Sequence, residues 1–238
     1  KKLISKNKIL NKFNIPYDKI KKIVLIAPHA FSDGCHSHAG YFIFADYYEH
    51  YKETLNFISS KNYSDILWIV RPHPTSPLYG ESGIAENLVK KIKKKNIIIC
   101  PPNLKTSALI NICDNVITGR GTIGLEFACK GKYPITAGNS VYKNFGFSKI
   151  SNTKNEYFKI ISQIIKIPKL NQKQINMAKR VLYLLESTKT LRNSQIFQQV
   201  INDGNDIKIF KKLNKTLKSI KLQKNMLYKQ SKKNLNFI

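Results

Sequence analysis

The chain has 238 residues, enough for one large or two small domains, and its 42% hydrophobic content is enough to build a core. A formal net charge of +27 points ordinarily to nucleic acid or an anionic membrane, yet lysine outnumbers arginine 37 to 4 and rises together with asparagine and isoleucine, as in an AT-rich coding sequence. Arginine, the residue suited to bidentate phosphate contacts, is scarce and no nucleic-acid-binding motif is present, so no specific nucleic-acid partner is expected.

No run of eighteen apolar residues occurs, and the N-terminus lacks the apolar stretch of a signal peptide, so a cytoplasmic chain is expected. A first residue of lysine rather than methionine points to a processed chain or a fragment lacking an N-terminal part. The cysteines Cys35, Cys100, Cys113 and Cys129 are scattered, with neither zinc spacing nor a disulfide framework. Cys35 lies beside His36 and His38, but no carboxylate completes a ligand set, and no metal is expected.

Residues 1–22 are basic and read as a helix and connector broken at Pro16. The first strand is Ile23 to Ala27, followed by Pro28-His29-Ala30-Phe31-Ser32-Asp33-Gly34. A helix over 42–60 carries Phe44, Tyr47, Tyr48, Tyr51, Leu55 and Ile58 at helical spacing, a stripe read as core. Strand two, Ile66 to Val70, runs into Arg71-Pro72-His73-Pro74, and a helix over 84–95 ends in lysines that complement its dipole. Strand three (Ile97 to Ile99) stops at two prolines, a short helix spans 106–112, and strand four is Val116 to Thr118. A turn of Gly119-Arg120-Gly121 leads into a helix over 122–130, strand five covers Pro134 to Ala137, and a further helix covers 154–166. Strand and helix alternate five times, the signature of an α/β fold with a doubly wound, mostly parallel sheet. Beyond Pro168 the pattern is helical over 172–201. Residues 207–238 contain ten lysines and no acidic residue, with apolar positions at three/four spacing. This tail reads either as solvated or as a basic surface helix for anionic lipid or a partner protein. The expected domains are therefore 1–22, 23–170, 171–203 and 204–238.

In an open α/β sheet, ligands bind outside the carboxyl ends of the strands, so the loops at 28–34, 71–74 and 119–126 should face one crevice. Gly119 and Gly121 are expected to let the backbone turn and approach a ligand, Thr122 to cap the next helix, and the N–H groups of Ile123 and Gly124 to cradle a phosphate. Glu126, one turn on, would repel a phosphate in contact and suits a ribose diol or sugar hydroxyl; capping alone would equally explain these residues. His73, fixed between prolines and beside Arg71, can donate to a phosphate oxygen, protonate a leaving phosphate, or pack. His29 and Asp33 should point into the same crevice, with Asp33 the carboxylate best placed for acid/base work.

Those residues carry a resemblance. Pro-His-Ala-Phe-Ser-Asp (28–33), Arg-Pro-His-Pro (71–74), Thr-Ile-Gly-Leu-Glu-Phe-Ala (122–128), Gly-Lys-Tyr-Pro-Ile (131–135), Gly138 and Tyr142 resemble bacterial capsule and surface-polysaccharide biosynthesis proteins, a group similar to the β-Kdo glycosyltransferases. The likeness covers about residues 23–150. It implies the Rossmann-like, nucleotide-sugar-binding half of a GT-B glycosyltransferase. His29, Asp33 and His73 are then the catalytic candidates, and the donor, CMP-linked or another nucleotide sugar, is held by Arg71, His73, Gly121, Thr122, Ile123, Gly124 and Glu126. No cofactor or metal is implied, and the other partners are a glycan or glycolipid acceptor and, through 207–238, the inner membrane face. Arg120 and Gly121 depart from the relatives' pattern, where a serine often replaces Gly121. GT-B enzymes have two Rossmann-like domains and one is visible here. A sugar-nucleotide 2-epimerase of the same architecture and a non-catalytic nucleotide-binding scaffold are the competing readings.

Overall fold

The computed structural model describes residues 19–36, 41–101 and 104–189. Most of the expected N-terminal helix, the helical stretch beyond 189 and the lysine-rich tail lie outside the described residues. Contacts divide the chain into two units, Lys1–Leu182 and Tyr183–Ile238, and the sheet lies within the first.

Six parallel strands form one sheet in the order β3-β2-β1-β4-β5-β6: β1 is Lys22–Ala27, β2 Ile66–Val70, β3 Ile97–Ile99, β4 Asn115–Thr118, β5 Pro134–Thr136 and β6 Lys149–Ile150. The helices are α1 (Tyr47–Ser60), α2 (Ile84–Ile92), α3 (Thr106–Ile112), α4 (Ile123–Ala128), α5 (Lys154–Ser162) and α6 (Gln172–Lys189). Every residue of β1 and β2 is buried, as parallel strands covered on both faces must be. Their side chains split by parity. Val24, Ile26, Trp68 and Val70 pack with Tyr51, Leu55 and Ile58 of α1 and with Tyr157 and Ile161 of α5. Ile23, Leu25, Leu67 and Ile69 pack with Leu109 and Ile112 of α3 and Phe127 of α4. Each such side chain contributes roughly 1.5–3 kcal/mol of burial, set against the entropy of ordering it.

Helix ends follow local chemistry. The helix expected from residue 42 begins at Tyr47, because Asp46 accepts the Glu49 N–H at 2.6 Å while the Glu49 carboxylate accepts the Ala45 N–H, one residue before the cap. Phe42 is drawn instead into an antiparallel bridge with Gly138. Thr153 and Glu156 repeat the device at α5. The helix expected to run to 95 stops at Ile92, where Lys93 adopts φ 55°. The short edge strand β6 is new: two residues paired with Ile135 and Thr136, too few to show a strand pattern.

The strand order reverses between β1 and β4. Backbone hydrogen bonds continue past the strand ends there: Arg71 N–H donates to the Ile26 carbonyl at 2.9 Å and Ala137 N–H to the Gly119 carbonyl at 3.1 Å, so the loops after β1, β2 and β4 leave the sheet side by side.

Candidate functional site at the switch point

A cavity of about 520 Å³ opens at this edge, lined by residues of four connections: Pro28, His29, Asp33 and Gly34 after β1; Arg71 to Pro74 after β2; Thr106 at the start of α3; and Thr118, Arg120 to Ile123 and Glu126 around the turn after β4. Tyr47 of α1 completes the wall. Every residue expected to bind or react lines it except Gly124, which lies buried behind the turn.

His29, His73 and Tyr47 form a row of near-parallel rings. His29 stacks on Tyr47 with centroids 4.2 Å apart and an interplanar angle of 11°, and lies 6.2 Å from His73 at 8°. His29 Nε2 accepts the Arg120 N–H at 3.2 Å, tying the β1 loop to the β4 loop. Burial, with His73 adding to it, Asp33 opposing and Arg120 reinforcing, pushes the His29 pKa down to about 4, so the ring is neutral near pH 7 with its hydrogen on Nδ1. His73 Nδ1 meets the Thr75 hydroxyl at 2.7 Å and the Thr75 N–H at 3.4 Å, which leaves Nε2 as the nitrogen available to a ligand. The Arg71 guanidinium lines the cavity while its Nη1 donates to the Leu104 carbonyl at 2.5 Å, anchoring the segment that leads to α3.

The glycine turn is held differently from expectation. Gly119, Gly121 and Gly124 all have ordinary negative φ; what excludes a side chain is crowding. A Cβ at Gly119 would lie 2.9 Å from the Tyr47 ring and 3.2 Å from His29, and one at Gly121 would lie 2.9 Å from Thr118 Oγ1. A Cβ at Gly124 would lie 2.1 Å from the Tyr142 hydroxyl oxygen. Thr122 makes no side-chain cap, because its own backbone is already helical. The Gly124 N–H is not free for a phosphate: it donates to the Gly121 carbonyl at 3.1 Å, and that carbonyl also accepts the fully buried Tyr142 hydroxyl at 2.8 Å. Gly121 N–H donates to Thr118 Oγ1 at 3.3 Å. The N–H groups of Thr122 and Ile123 meet no protein acceptor among the described residues, which moves the expected pair of donors one residue back.

Asp33 stands exposed at the cavity edge and Glu126 half-buried on its wall. Cys35 is buried, its thiol 3.4 Å from the Ala45 carbonyl and pushed up by burial, while His38 lies outside the described residues. Glu81 is an organiser that the sequence did not reveal. Only 5% exposed, its carboxylate accepts the N–H groups of Phe31 at 2.9 Å and Ser32 at 2.6 Å and the Ser32 hydroxyl at 2.7 Å. Burial pushes its pKa up, but those hydrogen bonds outweigh it and the net direction is down. It follows the turn beyond His73 and holds the loop that carries His29 and Asp33, so the two histidine loops are fixed to each other.

Strand order and cavity define the class: a doubly wound, Rossmann-like α/β domain with a crevice at its switch point. No protein-family model matches the chain, and no curated protein matches it. Among solved structures it is similar to the wall teichoic acid polymerase TagF (15% identity, 89% of this chain and 48% of that one, TM-score 0.45). It is also similar to the Thermosulfurimonas dismutans KpsC β-Kdo 2,7 transferase (18%, 73% and 50%, 0.42) and to the Neisseria meningitidis UDP-GlcNAc 2-epimerase bound to UDP-GlcNAc (14%, 76% and 48%, 0.46). The chain spans about half the length of these proteins. With TM-scores below 0.5 these likenesses carry no weight for function, which is read from the cavity. Among the described residues, no helix is long and apolar enough to cross a membrane.

Proposed function

We propose that this chain is the nucleotide-sugar-binding half of a glycosyltransferase that moves a sugar, Kdo or a related one, onto a surface polysaccharide or glycolipid. The observation that carries the reading is the convergence, in one crevice of about 520 Å³, of phosphate-directed donors and carboxylates suited to hydroxyls. Arg71 supplies positive charge for a nucleotide's phosphates, and His73 Nε2 and the unpaired N–H groups of Thr122 and Ile123 supply hydrogen-bond donors. Glu126, one turn further along the same helix, takes sugar or ribose hydroxyls.

In the transfer step an acceptor hydroxyl oxygen bonds to the anomeric carbon while the bond from that carbon to the phosphate oxygen breaks. The electron pair leaves with the nucleotide, and its growing charge falls on the donors already in place, so they stabilise the transition state without reorganising. Asp33, the exposed carboxylate at the edge, takes the acceptor's proton. His29 is neutral, and its Nε2 lone pair is engaged by Arg120, so it orients the turn that presents the Thr122 and Ile123 donors.

The test is turnover of candidate nucleotide sugars with and without lipid-linked or glycan acceptors. Acceptor-dependent nucleotide release, abolished in Asp33→Asn, is the expected result. Interconversion of the nucleotide sugar with no acceptor present would replace this reading with an epimerase, and binding without turnover would replace it with a scaffold.

A further inference from the structure

The edge of the sheet opposite the cavity is dense in lysine where three neighbouring strands begin. Lys19 and Lys21 precede β1, and Lys61 precedes β2. Lys90 and Lys91 close α2, and Lys93, Lys94 and Lys95 lead into β3; all eight are exposed. Contacts knit the approaches together: Lys94 Nζ donates to the Lys61 carbonyl at 3.1 Å, and Lys21 lies 3.2 Å from Asp65. Since adjacent strands lie about 4.8 Å apart, the three entries share an edge roughly 10 Å wide.

The nearby carboxylates are engaged, Asp65 with Lys21 and Asp114 with the Ile23 N–H at 2.8 Å. Most others stand toward the cavity end, as Glu49, Glu86, Glu126 and Glu156 do in the first turns of their helices. Helix polarity explains Lys90 and Lys91 in a last turn, but not the remaining six. Lys93 adds an independent sign. At φ 55° it is the one non-glycine among the described residues in the left-handed region, at a helix end where glycine fits without steric cost. A lysine there sacrifices conformational ease and keeps a charge.

We propose that this edge docks the protein on an anionic lipid bilayer. Ammonium groups on flexible stems suit a diffuse, laterally mobile layer of headgroups, whereas ordered nucleic-acid phosphates call for arginine forks and stacking aromatics. The described arginines stand elsewhere: Arg71 and Arg120 line the cavity, and Arg180 lies on α6. Because the cavity opens at the other ends of the strands, docking leaves it accessible. The surface does not depend on what the cavity binds.

The experiment is co-sedimentation of the full chain with vesicles of phosphatidylcholine alone or mixed with phosphatidylglycerol, at low and high salt, beside retention on immobilised RNA at the same salt. Four proteins are compared: the wild type, a variant with Lys90, Lys91, Lys94 and Lys95 changed to Gln, a control with Lys208, Lys211, Lys212 and Lys215 changed to Gln, and Lys93→Gly. The wild type should bind only the anionic vesicles, less at high salt. The edge variant should lose about 100-fold or more in partitioning and the control little. Lys93→Gly should weaken binding while raising Tm. The proposal is overturned by failure to bind anionic vesicles, by equal binding to neutral ones, by a control that loses as much as the edge variant, or by retention on RNA in preference to vesicles at equal salt.

Discussion

Gly124→Ala separates crowding at the glycine turn from ordinary helix propensity. Gly124 lies in α4, where alanine should gain about 1 kcal/mol on propensity alone. The structure reverses that sign. The new Cβ would sit 2.1 Å from the Tyr142 hydroxyl oxygen, 2.9 Å from its Cζ and 3.0 Å from Pro134 Cβ. Tyr142 is fully buried and stacks on Phe147 with centroids 5.8 Å apart, so it has little room to retreat. Overpacking of this kind costs about 1–3 kcal/mol. Displacing the ring also breaks the bond to the Gly121 carbonyl, about another 1 kcal/mol, for a net loss of about 1–3 kcal/mol after the propensity gain. In a Tyr142→Phe background the atom at 2.1 Å is gone and the hydrogen bond already forfeited, so the cost of Gly124→Ala should shrink by about 1–2 kcal/mol. Urea denaturation of the four proteins of this double-mutant cycle measures both terms. A stabilising Gly124→Ala, or an equal cost in both backgrounds, would refute the reasoning.

Two further outcomes follow from buried titratable groups. His29 and the wholly buried His50, whose Nε2 lies 2.9 Å from the Tyr157 hydroxyl, are pushed down by burial to about 4 and about 3. Because the unfolded chain takes up these protons first, their stabilisation is complete above about pH 6.5 and is lost on acidification, by up to about 1.4 kcal/mol per pH unit for each ring. The loss levels off below the two folded values. Urea midpoints between pH 7 and 5 should therefore fall, and a flat profile would mean that the native state binds those protons. Glu81→Gln should cost about 1.5–3 kcal/mol, since one carboxylate oxygen of the cluster that holds Phe31 and Ser32 becomes a donor facing donors. Glu81's contribution is present above the ordinary carboxylate range and lost as pH falls through its lowered folded value, so wild type and variant should converge in acid, and a constant gap would contradict the assignment.

The fold was legible because its signals are local. Each buried parallel strand is a short β-branched run closed by Pro or Gly, and the two best, Ile66–Val70 and Ile97–Ile99, appear with the expected limits. The caps Asp46 and Thr153, which set where two helices start, went unread because the aromatic stripe suggested a helix already running from residue 42. The loops of the cavity were legible from their place after strands. How they are held was not, since it depends on contacts between residues far apart in the chain: Glu81 with Ser32, Tyr142 with Gly121, and His29 with Arg120. Tyr47 shows the limit best. Its spacing marks it as core, and it is buried, but only the folded chain brings its ring against His29 at the cavity wall.

Calorimetric titration of the full chain with CMP, CDP, UDP and GDP, repeated on His73→Ala and Glu126→Ala, tests the central claim most directly. The account predicts selective binding of one nucleotide class, weakened about tenfold or more in each variant, as expected for loss of a charge-assisted hydrogen bond of roughly 1.5–3 kcal/mol. Absence of binding by the folded wild type, or binding untouched by both substitutions, would contradict it.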